Sequence, residues 1–413
     1  MTGYADLEIG VHAQDANSYR VEASLRMPGQ DASRERQATV PRFDLDDLGA
    51  VASDPDAYGR KLTTALFAKE RLRAFLDSAR ASAAAQSAPL RLRLNIGLTL
   101  LGLHDLRWET LRDPYEADLR LATDENVLFS RYLSSDDWRP VRPRPRGELR
   151  ALVAIANPAD LAQLQPSGRF LAPVEVKDEM ERAKAGLDGF KLASLPPDGR
   201  ATLREIITHL GDGCDVFYLV CHGALHNGKP QLWLEDEAGN GDVVEAIELV
   251  TRMKGMREQP RLVVLASCQS AGDGDEWAST DEGALAALGP RLAEIGVPAV
   301  VAMQGNVSME TVAQFMPVFF KELQVDGQID RAMAVARRDV WDRSDWWVPV
   351  LFTRLESGQL FDPTADVGST EKGPEPEDDT PEAEAEADAG GYNVRAVRDL
   401  LEAGFSADGL RQL

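Results

Sequence analysis

The chain has 413 residues, enough for roughly two to three domains at about 150 residues each. Its 45 Lys+Arg against 68 Asp+Glu leave a net charge of −23, which argues against a phosphate-neutralising nucleic-acid surface and against anionic membranes. No apolar run approaches the roughly 20 residues of a membrane helix, and residues 1–10 lack the basic-then-apolar layout of a signal peptide. The expectation is a cytoplasmic protein with neither a nucleic-acid nor a membrane partner. The three cysteines, Cys214, Cys221 and Cys268, make neither a disulfide framework nor a zinc ligand set.

In chain order, residues 7–11 and 19–25 alternate like strands, 61–79 carry helical periodicity, and 90–98 alternate again. Residues 1–145 therefore read as an α+β supporting region. A Pro- and Arg-rich connector, RPVRPRPRG at 139–147, closes it. Beyond the connector come short, continuous apolar runs at 149–156, 216–221, 262–267, 298–303 and 348–355. Between them lie amphipathic helical patterns through Val176–Leu187, Leu285–Ile295 and Val312–Leu323. Apolar strands alternating with helices predict an α/β fold over 148–362, a mostly parallel sheet covered by helices on both faces. Residues 363–391 hold ten acidic side chains, one Lys and four Pro, so a disordered acidic linker is expected there. Residues 392–413 regain helical spacing through Val394, Val397, Leu400 and Leu401. No GxxxxGK[ST] or GxGxxG loop occurs, and no cofactor is expected.

In an open parallel sheet, functional groups collect just beyond the carboxyl ends of adjacent strands. The run at 216–221 ends in His222-Gly223, and the run at 262–267 ends in Cys268-Gln269-Ser270. A Cys and a His at neighbouring strand ends are the parts of a thiolate nucleophile and its acid/base. An imidazolium or a helix N-terminus lowers a free thiol from about 8.5 into the reactive range. The N–H groups of Gly223 and Cys268 are placed to bind a developing oxyanion. The ordinary alternative is that a Cys closing a buried strand is a small core residue, which fits Cys221 better than Cys268. Cys214 lies in a loop with no visible partner, His226 reads as surface, and His12, His104 and His209 stand isolated.

At these residues a family resemblance enters. DVFYLVCHG (215–223) and RLVVLASCQSA (261–271) resemble the two signature segments of CHAT-domain peptidases, within the caspase-like, separase-related cysteine peptidases. LRLRLNIGL (90–98), LRWETLRDP (106–114), ALVAIANP (151–158), GVPAVVAMQGNVS (296–308), FMPVFFKEL (315–323) and WWVPVLFTRL (346–355) follow in the family's order, so the resemblance spans about 90–361. It implies a caspase-type α/β sandwich, Cys268 as nucleophile, His222 as general acid/base, and an oxyanion site from Gly223 and Cys268. It further implies a protein substrate and endopeptidase activity on specific intracellular proteins.

The chain departs from its relatives at substrate selection. Separases look to read a basic P1 side chain with an Asp in a WDVT-type segment, and Asn306 stands at that place in 305–308. Metacaspases resemble this site with an Asp two residues before the nucleophile, where this chain has Ala266. A small or neutral polar P1 residue is therefore expected, unless Asp281 or Glu282 in the acidic loop 273–282 restores the charge. Residues 392–413 resemble the opening of the helical effector-associated domains of bacterial defence systems. That implies recruitment by an adaptor through this segment and a role in defence or regulated cell death. A catalytically silent scaffold and a Cys-dependent acyl hydrolase remain the rival readings.

Overall fold

The alternation of apolar runs with amphipathic stretches becomes, in the computed structural model, one long sheet between helical layers. The structure describes residues 3–30, 33–97, 100–124, 126–133, 144–163, 173–196, 200–227, 229–266 and 285–362. The chain divides into two units, Met1–Gly368 and Ser369–Leu413. The second unit lies outside the described residues, as do the whole expected linker 363–391 and the segment 392–413.

The first strands are β1 (Ala5–Ala13), β2 (Ser18–Arg26) and β3 (Ser33–Pro41), followed by helices α1 (Leu45–Gly49), α2 (Pro55–Leu66) and α3 (Glu70–Ala85). Strand β4 (Leu90–Ile96), the short α4 (Leu101–His104) and β5 (Val127–Tyr132) complete the region expected to be α+β. The single helix expected over 61–79 is two helices. The periodicity runs through the break, but the chain turns at Phe67, where Leu66 and Phe67 both enter the core. Arg73 Nη1 caps the freed Phe67 carbonyl at 2.8 Å, and Lys69 restarts the helix from an extended conformation.

The second run of elements is β6 (Arg150–Ile155), α5 (Val176–Gly186), β7 (Lys191–Leu195), α6 (Leu203–Gly211) and β8 (Val216–Val220). A small antiparallel sheet then interrupts the pattern: β9 (His222–His226), β10 (Lys229–Glu235) and β11 (Gly241–Glu245). The chain continues through α7 (Ala246–Lys254), β12 (Leu262–Ala266), α8 (Leu288–Glu294), β13 (Ala299–Met303), α9 (Met309–Asp326), α10 (Ile329–Asp339) and β14 (Pro349–Thr353). Ser308 caps α9 by accepting from the Thr311 N–H at 3.2 Å. Gly327 ends it in a left-handed conformation, with φ of 73°. A Cβ there would lie 2.3 Å from the Phe361 carbonyl oxygen, so the α9–α10 turn requires glycine.

The main sheet has eleven strands in the order β3-β2-β1-β4-β5-β14-β13-β12-β8-β6-β7. Pairing is antiparallel at β3-β2, β2-β1 and β14-β13, and parallel at every other step. The central strands β8, β12 and β13 are buried at every residue, as continuous apolar strings between two helical layers must be. On one face Tyr218, Val264 and Val301 pack with Met180, Phe315, Phe319 and Met333 of α5, α9 and α10. On the other, Phe217, Leu265 and Val300 pack with Ile206, Leu249 and Leu292 of α6, α7 and α8. The fold is thus the expected mostly parallel sheet flanked by helices on both faces.

Candidate active site

The strand bearing the histidine and the strand leading to Cys268 are neighbours. β8 and β12 pair in parallel with Val216 opposite Leu262 and Val220 opposite Ala266. Their register is fixed at the amino ends by Asp215, which is buried. Its Oδ2 accepts from the Arg150 N–H at 3.0 Å, its Oδ1 from Arg261 Nε at 2.9 Å, and its carbonyl from the Leu262 N–H at 3.0 Å. One carboxylate thereby ties the starts of β6, β8 and β12, and β8 and β12, five residues each, then end level.

At the carboxyl ends the chain diverges. The Cys221 N–H donates to the Ala266 carbonyl at 3.2 Å, extending the ladder by one residue, and its side chain is buried in the core. The next residue, His222, opens β9 rather than a loop, and is only 2% exposed. Within the small sheet His222 stands opposite Trp233, and Gly223 opposite Leu232. The hairpin is anchored by buried Glu235, whose carboxylate accepts from the N–H groups of Asn157 at 3.0 Å and Ala201 at 3.1 Å. β12 ends at Ala266. Cys268, the loop 273–282, and with it Asp281 and Glu282, lie outside the described residues.

Beyond β12 lies the turn after β13. Gln304 is buried, Gly305 has a φ of 110° with open space where a side chain would stand, and Asn306 is exposed. Val307 is buried, and the Ser308 N–H donates to Asp345 Oδ2 at 2.7 Å. Gln304 was not singled out in the sequence, yet it is the best-anchored residue of this turn. Its N–H donates to the Val348 carbonyl at 2.8 Å, and its Nε2 to the Asp105 carbonyl at 2.9 Å and the His104 carbonyl at 3.2 Å. Its Oε1 accepts from Arg131 Nη2. Arg131 in turn pairs with Glu109, which also faces Arg337 at 3.6 Å. All three of these charged side chains are buried in the fold. Only Glu109, as part of LRWETLRDP, lay in a stretch the sequence marked.

Trp108 from the same stretch is fully buried, its Nε1 donating to the Leu103 carbonyl at 2.6 Å and its ring edge-on to Phe43. Burial pushes the Arg337 guanidinium down to about 10, partly offset by Glu109. Burial, together with Arg131, pushes the His104 imidazole down to about 4, so it is neutral at physiological pH. Cys214 is not without a partner: its Sγ lies 3.0 Å from the Val216 carbonyl, and burial pushes the thiol up to about 12, which leaves it inert. His226 ends β9 at the surface. Among the described residues no three His, Cys, Asp or Glu side chains gather as a metal site would need. No helix among the described residues is long and apolar enough to cross a membrane.

The CHAT domain profile matches residues 56–363. The chain belongs to the CHAT domain family. The match begins inside α2, upstream of the span from 90 that the motifs suggested, so the CHAT unit takes in α3, β4 and β5 as well as the strands around His222. Among solved structures the chain is similar to separase of Saccharomyces cerevisiae in two separase–securin complexes, at 3.0 and 2.6 ångström resolution. Identity is 13% and 11%, the matches cover 64% of this chain, and the TM-scores are 0.36 and 0.35. It is also similar to the Drosophila initiator caspase Dronc, at 10% identity over 51% of this chain and 82% of that one, with a TM-score of 0.31. The chain spans only 15% and 16% of the two separase chains. No curated protein matches it in sequence.

Proposed function

We propose that this CHAT protein is a caspase-like cysteine endopeptidase in which Cys268 attacks and His222 moves the proton. The observation that carries the reading is the place where His222 leaves β8. It emerges one residue after the Cys221 N–H bonds to Ala266, at the end of the neighbouring strand and two residues short of Cys268. In this reading the Cys268 thiol gives its proton to His222, and the thiolate sulfur bonds to the scissile carbonyl carbon. The carbonyl π electrons move to oxygen, where the N–H groups of Gly223 and Cys268 receive the charge. Collapse breaks the C–N bond, and His222 returns its proton to the leaving amine. Water, deprotonated by the same imidazole, then hydrolyses the thioester and regenerates the thiol.

Asn306, exposed on the turn after β13, presents a neutral amide to the substrate and supports a small or neutral polar P1 residue. A buried Arg side chain without a partner carboxylate would cost several kcal/mol. The segment 392–413 is the proposed attachment for an adaptor, and the setting is a bacterial defence or cell-death response in the cytoplasm, with no cofactor required.

The test is to incubate the full chain with a Cys-reactive peptide electrophile and with a protein lysate, beside Cys268→Ala and His222→Ala. Discrete fragments and labelling, both lost in either variant, are the expected result. Labelling without fragments would favour an acyl hydrolase, and neither would favour a silent scaffold. A fluorogenic library reads P1: strong, exclusive cleavage after Arg or Lys, lost in Asp281→Asn with Glu282→Gln, would overturn the P1 assignment.

A further inference from the structure

We propose that Gln304 is a positioning residue for substrate, and that the Glu109–Arg131 pair, supplied by the supporting part of the chain, holds it in place. The inference rests on the peptidase reading and says which residues set that site's affinity for peptide. The turn 304–308 joins β13 to α9, and β13 is the neighbour of β12, with β8 one strand further along the sheet. A strand-to-helix turn bearing a positive-φ glycine and an exposed Asn has little to hold it in the middle, so its shape depends on its two ends. The far end is fixed by Asp345, whose carboxylate accepts from the Ser308 N–H at 2.7 Å and the Thr311 hydroxyl at 2.6 Å.

The near end is fixed by Gln304 alone among the described side chains. Its amide N–H₂ reaches the carbonyls of His104, Asp105 and Leu106 at 3.2, 2.9 and 3.3 Å, all at the end of α4. Its amide oxygen is taken by Arg131, which also donates through Nη1 to the His104 carbonyl at 2.8 Å and through Nη2 to the Leu106 carbonyl at 3.2 Å. The same carbonyls thus bind both Gln304 and Arg131, and Glu109 neutralises and orients the guanidinium from the other side. Gln304, Arg131 and Glu109 are buried, so the bonds among these three side chains are held in a medium where each is strong, while the Asp105 carbonyl belongs to an exposed residue. The arrangement runs from residues 104–109, through β5, to the substrate turn, and touches neither His222 nor the end of β12 through any of these bonds.

Loss of Gln304 should therefore loosen the turn that receives substrate while leaving the proton chemistry alone. In Gln304→Ala, KM for a cleaved peptide should rise about tenfold or more with kcat changed less than about twofold. Alkylation of Cys268 by iodoacetamide, followed from pH 5 to 9, should keep its rate and its pH midpoint. Glu109→Gln should shift KM in the same direction. Gln304→Met, which keeps the side-chain length without its hydrogen bonds, serves if the Ala variant melts before assay.

A fall in kcat with KM unchanged, or alkylation slowed in step with turnover, would show that the network acts on the dyad or on general stability and would overturn the assignment. If wild-type protein cleaves peptide and KM is the same in both Gln304 variants, the inference alone fails. If wild-type protein neither cleaves peptide nor takes label at Cys268, the peptidase reading fails and this inference with it.

Discussion

Two parts of the same sheet solve burial differently. Strands β1 and β2 alternate: Leu7, Ile9, Val11, Val21 and Leu25 are buried, while Glu8 and Glu22 lie half-buried on the opposite face. Strands β8, β12 and β13 are apolar on both faces and buried throughout. Between them, β4 and β5 carry arginines into the interior: Arg91 pairs with Asp330 of α10, and Arg131 with Glu109. The sheet thus has a wet-faced flank, an ionic seam and a dry centre, and the candidate site opens where the dry strands end. Dry surroundings strengthen the electrostatic interactions at those strand ends, while the flank keeps one face polar.

The comparison yields four measurements, taken from the largest effect down. Removing the seam's shared carboxylate with Glu109→Ala leaves Arg131 and Arg337 facing each other in the interior, and should cost about 3–5 kcal/mol in denaturant unfolding. A loss below 1 kcal/mol would mean that the seam is hydrated. Leu265→Ala in β12 opens a void between the sheet and the α6–α8 layer and should cost about 3 kcal/mol.

The third is a pH effect at His104, whose pKa falls from 6.5 to about 4 on folding. The unfolded chain then binds more protons between those values, so this contribution is complete above pH 6.5 and is lost as pH falls towards 4. At about 1.4 kcal/mol per pH unit it amounts to about 3 kcal/mol. Comparing wild type with His104→Leu across that window isolates it, since the carboxylates titrate in both proteins. The smallest effect belongs to the wet flank: Glu22→Ala should change stability by about 0.5 kcal/mol or less, and a cost like that at Leu265 would erase the distinction between the two regions.

The dry centre was legible in the sequence because continuous apolar runs leave few choices. The runs at 216–221, 262–267 and 298–303 became β8, β12 and β13, with ends displaced by a residue or so. The strand β3, SRERQATVP, was not legible, because its first five residues are exposed and polar and only Ala38 and Val40 are buried. The small sheet was missed for a different reason. β9 begins directly at His222, so the sequence showed a strand ending in a loop where the chain in fact starts a hairpin. The network around Gln304 is not legible as a network, although Gln304 and Glu109 each lie in a stretch the sequence marks. Its bonds join residues far apart in the chain, such as Arg131 with Gln304, and no local spacing announces such a partner. The apolar run before His222 announces a strand, whereas the residues that hold the turn 304–308 are defined only by the folded sheet.

The position of β14 has a consequence for how the protein comes into being. This last described strand lies between β5 and β13, so it is the piece that joins the two flanks of the sheet. While the chain is being synthesised, β5 and β13 have emerged but face each other across an unfilled gap until residues 349–353 follow. Pairings between segments so distant in sequence form late. The carbonyl of Val348, which anchors Gln304, and that of Pro349, which anchors Arg337, arrive with that strand. A ribosome-bound chain that has not yet released residues 348–353 therefore lacks the carbonyls that hold Gln304 and Arg337, and the turn 304–308 takes its final shape only once β14 has paired.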